Sequence, residues 1–108
     1  MKLYIGGAFQ GQEELARREN PGAEIIADFH AVMREQTQKG ADARAFAAEI
    51  CEQHPDAAIV SDEIGSGIVP TDAFERAWRE NTGRALCVIA SRADQVTRVV
   101  CGVGMRIK

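Results

Sequence analysis

The run Ala57-Ala58-Ile59-Val60-Ser61 constrains this chain more than any other segment. It is apolar without alternating with polar residues, so as a strand it needs cover on both faces. Such a strand belongs in the middle of a parallel sheet with helices above and below it. The rest of the chain supplies those partners. Lys2 to Ile5 reads as a short strand ending at a double glycine, and Gly11 to Glu19 as a short helix with Leu15 and Ala16 inward. Asn20-Pro21-Gly22 stops that helix, because Pro21 disfavours a helical Asn20 and Gly22 suits a turn. Ala23 to Ala27 is a second short strand. Phe29 to Gln38 places Phe29, Val32, Met33 and Gln36 at helical spacing, Lys39-Gly40 breaks it, and Ala41 to Gln53 continues as an alanine-rich helix. A long helix runs to about Ser91, capped by Asp72 or Thr71, with Glu75 placed as in a capping box. Phe74, Trp78, Ala85, Val88 and Ile89 form its apolar stripe. Val96 to Gly102 is the last strand, and Gly104 to Lys108 a short tail.

Strands alternating with helices imply βαβ units, a mostly parallel sheet and helices on both faces. The chain has 108 residues, the size of one domain, so residues 1–108 are expected to form a single unit. Apolar residues make up 45% and charged residues 27%, a balance that argues against disorder over most of the length. A formal charge of −3 supplies no basic field for nucleic acid and no polybasic membrane anchor. No stretch is long enough to span a membrane. Cys51, Cys87 and Cys101 are odd in number, far apart and set in apolar runs, which reads as buried, reduced thiols in a cytoplasmic protein.

Ligands of open parallel sheets bind beyond the C-terminal ends of the strands. Two glycine-rich loops fall there. Gly6-Gly7-Ala8-Phe9-Gln10-Gly11-Gln12-Glu13 has the glycines of the G-x-x-x-x-G-K-[ST] phosphate-binding pattern, between a strand and a helix. Gln12 stands where that pattern has its lysine, and Glu13 where it has its hydroxyl. Gln12 adds no charge, and Glu13 with Glu14 puts negative charge at the mouth, where it competes with a phosphate. The same residues also read as a glycine-rich turn with an acidic first helical turn. The second loop is Asp62-Glu63-Ile64-Gly65-Ser66-Gly67-Ile68-Val69-Pro70. Asp62 and Glu63, at a strand end, could coordinate Mg²⁺ or accept a substrate hydroxyl proton. They read equally as two solvated acids in a structural turn.

The second loop and its continuation resemble the adenosylcobinamide kinase / adenosylcobinamide-phosphate guanylyltransferase family. The resemblance rests on Ile59 to Pro70, Gly83-Arg84 within the long helix, Ala93-Asp94-Gln95-Val96, Val99-Val100, and the ending Gly102 to Lys108. It implies a P-loop NTPase-like three-layer sandwich and a place in cobalamin assembly. It also implies GTP or ATP with Mg²⁺ as the nucleotide, a corrinoid as the other small molecule, no covalently bound cofactor, and self-association into a homo-oligomer. By this resemblance Gly6 to Glu13 are the nucleotide loop and Asp62, Gly65, Ser66 and Gly67 the substrate loop. Glu63 is the candidate catalytic carboxylate, and Asp62 with Glu63 the candidate Mg²⁺ ligands.

Three departures accompany the resemblance. The loop lysine and serine are replaced by Gln12 and Glu13. The chain is shorter than typical members, with the deficit between residues 20 and 57, so the domain reads as truncated. Neither histidine matches the context of the family's guanylylated histidine. His30, after the second strand, is the nearer candidate, and His54 sits at a helix-to-turn junction. The functional readings are a compact kinase-like nucleotidyltransferase, a non-catalytic relative that binds nucleotide, corrinoid or protein, and a transferase with a new substrate on the same scaffold.

Overall fold

The computed structural model describes residues 1–65 and 67–108; Ser66 of the candidate substrate loop lies outside them. In chain order the elements are β1 (Lys2–Gly6), α1 (Gln12–Glu19), β2 (Ile25–Ile26), α2 (Phe29–Gln38), α3 (Ala43–Gln53), β3 (Ala58–Asp62), α4 (Ala73–Arg92), β4 (Gln95–Val100) and β5 (Val103–Arg106). The sheet order is β2-β3-β1-β4-β5. The pairs β2–β3, β3–β1 and β1–β4 are parallel, and β4–β5 is antiparallel. The unbroken apolar run supplies most of β3, which lies beside central β1.

Side chains alternate across a strand, and the two sheet faces divide the core accordingly. Tyr4, Val60 and Val99 pack with Leu15 and Ala16 of α1 on one face. Leu3, Ile59 and Val96 pack with Phe29, Met33, Ala47, Ala85 and Ile89 of α2, α3 and α4 on the other. Helices thus cover both faces, as the alternation of segments predicts.

Several boundaries depart from the sequence reading. β2 is only two residues long, because it pairs along one side alone and Asp28 turns the chain into α2 at a φ of 52°. The last strand ends at Val100, not Gly102. Cys101 (φ 52°) and Gly102 (φ 77°) form a two-residue turn, and the expected tail becomes β5. Two consecutive positive φ values are what a tight hairpin between twisted strands requires. The capping box of α4 is half formed. Asp72 accepts a hydrogen bond from the Glu75 N–H at 3.0 Å, but the Glu75 carboxylate pairs with Arg34 at 2.8 Å. Phe74 and Trp78 are half-buried, and the Arg34 guanidinium lies over both rings. Only Cys51 is a buried thiol; Cys87 and Cys101 are exposed, because one faces outward on α4 and the other sits in the hairpin turn. Among the described residues no helix is long and apolar enough to cross a membrane.

Candidate functional site at the ends of β1 and β3

The loop after β1 is held by close approach. A Cβ on Gly6 would lie 2.5 Å from the Val99 carbonyl oxygen, closer than side chains tolerate, so the strand can leave the sheet here only as glycine. Gly11, at a φ of 88°, turns the chain into α1 and offers no side-chain cap to the first helical turn. Those first N–H groups have no intrahelical acceptor, and they stand at the cleft beside the loop. The Gln10 carbonyl accepts from the Gly102 N–H, and its side-chain oxygen accepts from the Cys101 N–H, each at 2.7 Å. The loop and the β4–β5 turn are therefore fastened to each other.

Gln12, in the lysine position, is 5% exposed. Its Nε2 donates to the Gly7 carbonyl at 2.8 Å and to Asp62 Oδ1 at 3.0 Å. Two acceptors around one nitrogen fix the amide's orientation, and among the described residues the buried Oε1 has no partner. A neutral amide thus ties the loop to the end of β3. Glu13, in the hydroxyl position, pairs with Arg17 at 3.0 Å along the helix surface. The resulting cleft, about 330 Å³, is lined by residues 8–14 with Asp28, Val60 and Asp62. No lysine or arginine is among these residues. Of the lysines, Lys39 pairs with Glu35, and Lys108 donates to the Ala90 and Ser91 carbonyls at the C-terminal end of α4.

Asp62 and Glu63, neighbours in one candidate site by sequence, face opposite ways because they are successive residues of a strand end. Asp62 lines the cleft, while Glu63 lines a separate cavity with Leu3, Ile5 and α4. The Asp62 N–H donates to His30 Nδ1 at 3.0 Å, and Asp62 Oδ2 lies 3.6 Å from His30 Nε2. A ring nitrogen that accepts carries no proton, so the imidazole in this arrangement holds its hydrogen on Nε2. His30 is further fixed by its carbonyl, which accepts from Trp78 Nε1–H at 2.7 Å. The structure therefore gathers the Gly6–Glu13 loop, Asp62 and His30. It separates Glu63 and Gly65 from them, and holds Gly67 elsewhere. His54 pairs with Glu24 at 2.9 Å, at the far end of β3. Among the described residues no three His, Cys, Asp or Glu side chains cluster as a metal centre would need.

Motif spacing alone misses Arg79. Its guanidinium donates to the Gly65 and Gly67 carbonyls and, at 2.8 Å, to that of Ile68, so it shapes the loop after β3. A glycine-rich loop exposes carbonyls in need of donors, and an arginine within the first two turns of the following helix is the signal that could have shown it.

The family described as cobinamide kinase / cobinamide phosphate guanyltransferase matches residues 10–107. The bifunctional adenosylcobalamin biosynthesis protein CobU of Salmonella typhimurium (strain LT2) is 42% identical over 50 residues. Its counterpart of the same name in Escherichia coli (strain K12) is 40% identical over 50 residues. Each match takes in 46% of this chain and 28% of the relative, so the chain aligns with well under half the length of these curated relatives. A central parallel β1, a glycine loop and a following helix form a P-loop NTPase-like core, and the chain belongs to the cobinamide kinase / cobinamide phosphate guanyltransferase family.

Proposed function

We propose that this chain is a ligand-binding member of its family, serving cobalamin assembly without itself transferring phosphoryl or guanylyl groups. The observation that carries the reading is Gln12, neutral, 5% exposed and tied to both Gly7 and Asp62. Phosphoryl transfer needs positive charge placed where negative charge develops. Here the corresponding side chain has none, and Glu13, Glu14, Asp28 and Asp62 line the cleft. What supports binding is the backbone: uncapped N–H groups at the start of α1 attract an anion. The ligand class follows as GTP, ATP or a phosphorylated corrinoid, held through the Gly7–Glu13 backbone. Magnesium carried by a nucleotide meets Asp62 there, as Mg²⁺ commonly uses one or two carboxylates with phosphate oxygens. Glu63 does not join it. His30, with Nδ1 engaged by the Asp62 N–H, orients Asp62 and takes no guanylyl group.

Calorimetry with GTP and ATP in Mg²⁺, repeated with adenosylcobinamide present, tests the reading. Weak nucleotide binding, no product on prolonged incubation, and at least tenfold tighter binding by the Gln12→Lys/Glu13→Ser double variant are expected. Nucleotide-dependent phosphorylation of adenosylcobinamide by the unaltered chain would overturn the non-transferring role. Absence of binding up to millimolar nucleotide or corrinoid, in both forms, would remove the cleft as a ligand site.

A further inference from the structure

β5 ends one side of the sheet with no strand beyond it, and every one of its residues is exposed. An unpaired edge is a template for another strand, and proteins commonly blunt it with charge or proline. Here Arg106 is the only charged residue of the strand, and proline is absent.

The pairing with β4 determines what the edge offers. Val100 and Val103 close the two-residue turn as a hydrogen-bonded pair, and bonded and non-bonded pairs alternate along antiparallel strands. Val103 and Met105 therefore spend their backbone groups on β4, and the N–H and C=O of Gly104 and Arg106 point to the free edge. The Ile107 N–H, which donates to the Val96 carbonyl at 2.8 Å, has the same parity as Met105. The side chains divide as well. A Cβ on Gly104 would lie 2.8 Å from Leu15 Cδ2, on the α1 face. Val103 and Met105 alternate to the other face, which Ile107 shares through its bond to Val96. There Val100, Val103, Met105 and Ile107 are 45% to 69% exposed.

From this edge and its register we propose that β5 pairs antiparallel with β5 of a second copy of this chain, about a two-fold axis at Met105. Gly104 then exchanges both outward backbone bonds with the partner's Arg106, and Arg106 with the partner's Gly104. On the apolar face Met105 meets the partner's Met105, and Val103 meets the partner's Ile107. On the other face each arginine lies opposite a glycine, which leaves it room. An axis at Arg106 would set two guanidinium groups against each other, which like charges on paired strands oppose. An axis at Gly104 would push Arg106 against the partner's hairpin turn. The opposite edge of the sheet, β2, has two residues, too few to continue the assembly, so the pair is closed. A four-residue strand buries less than the roughly 800 Å² per partner of a standard interface. The pair therefore forms at micromolar concentrations or above, and it does not depend on what the cleft binds.

Sedimentation equilibrium up to about 1 mM chain tests the pairing, with a rise from the mass of one chain to that of two expected. Arg106→Pro removes an N–H that the folded monomer does not use, and edge strands accept proline. It should remain monomeric while keeping the amide spectrum of the parent outside residues 103–108. Met105→Lys places two ammonium groups across the axis and should weaken association at least tenfold. With Cys87→Ser and Cys101→Ser as background, Met105→Cys should cross-link to its own copy on oxidation, because Cβ atoms of a directly opposed pair lie within disulfide reach. Val103→Cys in that background should not, since its counterpart is Ile107. A monomer at every concentration would leave the edge to some other strand and overturn the proposal. So would association beyond two chains, a dimer indifferent to both Arg106→Pro and Met105→Lys, or cross-linking through Val103→Cys in preference to Met105→Cys.

Discussion

The loops after β1 and β3 leave adjacent parallel strands at the same end of the sheet, and both are rich in glycine, yet they are held by different physics. The loop after β1 is fixed from inside. Gly6 fits only because it lacks a side chain, Gln10 fastens the hairpin turn, and buried Gln12 ties the loop to Asp62. The loop after β3 is fixed from outside, by guanidinium groups reaching carbonyls. Arg79 holds Gly65, Gly67 and Ile68, and Arg76 holds Pro70 and Thr71. Glycine is demanded by contact in the first loop. In the second, a Cβ on Gly65 or Gly67 would meet nothing within 4 Å, and only the φ of 93° at Gly67 favours glycine. Ile68 and Val69 stand 94% and 68% exposed there, whereas Gln12 is buried. The lesson is that glycine content marks a loop without saying whether shape or conformation required it.

Exchanging alanine for one glycine of each loop gives the sharpest contrast. Gly6→Ala forces a methyl group into the Val99 carbonyl and should cost about 3 kcal/mol, the upper part of the usual range for overpacking. Gly65→Ala should stay within about 0.5 kcal/mol. Urea unfolding of both variants measures the difference, and equal costs would dissolve the comparison. Next in size is Gln12→Ala. It removes two hydrogen bonds and leaves the Gly7 carbonyl and Asp62 carboxylate short of a donor, a loss of about 2 kcal/mol. The expected sign of damage is faster amide exchange at residues 7–12. Exchange there at the parent rate would show that Gln12 is not what holds the loop.

Arg79→Ala tests the other side. Its hydrogen bonds are exposed, so global stability should fall by less than about 1 kcal/mol. Amides of Gly65 and of residues 67–69 should nonetheless exchange faster while those of residues 7–12 do not change. The smallest effect concerns alkaline pH. Burial pushes the Tyr4 phenol above its ordinary value, although Asn20 donates to its oxygen at 2.9 Å and opposes the shift. The folded state therefore keeps this proton longer than the unfolded chain. The contribution is fully present below the unfolded value of 10.0 and is lost as pH rises through the higher folded one. The chain has one tyrosine, so absorbance at alkaline pH reports Tyr4 alone. Tyr4 donates to Glu19 at 2.8 Å at the far end of α1, so its ionisation should loosen the helix behind the first loop and spare the second. A titration midpoint at the ordinary tyrosine value would contradict this.

Much of this arrangement is legible in the residues. The helical spacing of Phe29, Val32, Met33 and Gln36 locates α2 at its observed bounds, because that signal is local and buried on one side. The unbroken apolar run places β3 inside the sheet, and Asp72 caps α4 as its side-chain chemistry suggests. β5 is not legible. Val103-Gly104-Met105-Arg106 is exposed at every position, and becomes a strand only through its pairing with β4. Within the site, the strand-loop-helix order reveals the cleft, but adjacency in sequence joins Asp62 and Glu63 where the alternation of a strand parts them. The roles of Gln10 and Arg79 depend on partners far away in the chain or on loop carbonyls, and no spacing rule reports those.

The two bonds from Gln10 to the Cys101–Gly102 turn make the loop and the terminal hairpin a single mechanical body. A displacement of the loop strains both bonds at once, so the loop and the turn at the sheet's free edge are expected to hold or yield together. That edge presents Val100, Val103 and Met105 to solvent. The loop after β1 thus has its mechanical partner in the terminal hairpin, at the edge of the sheet opposite β2.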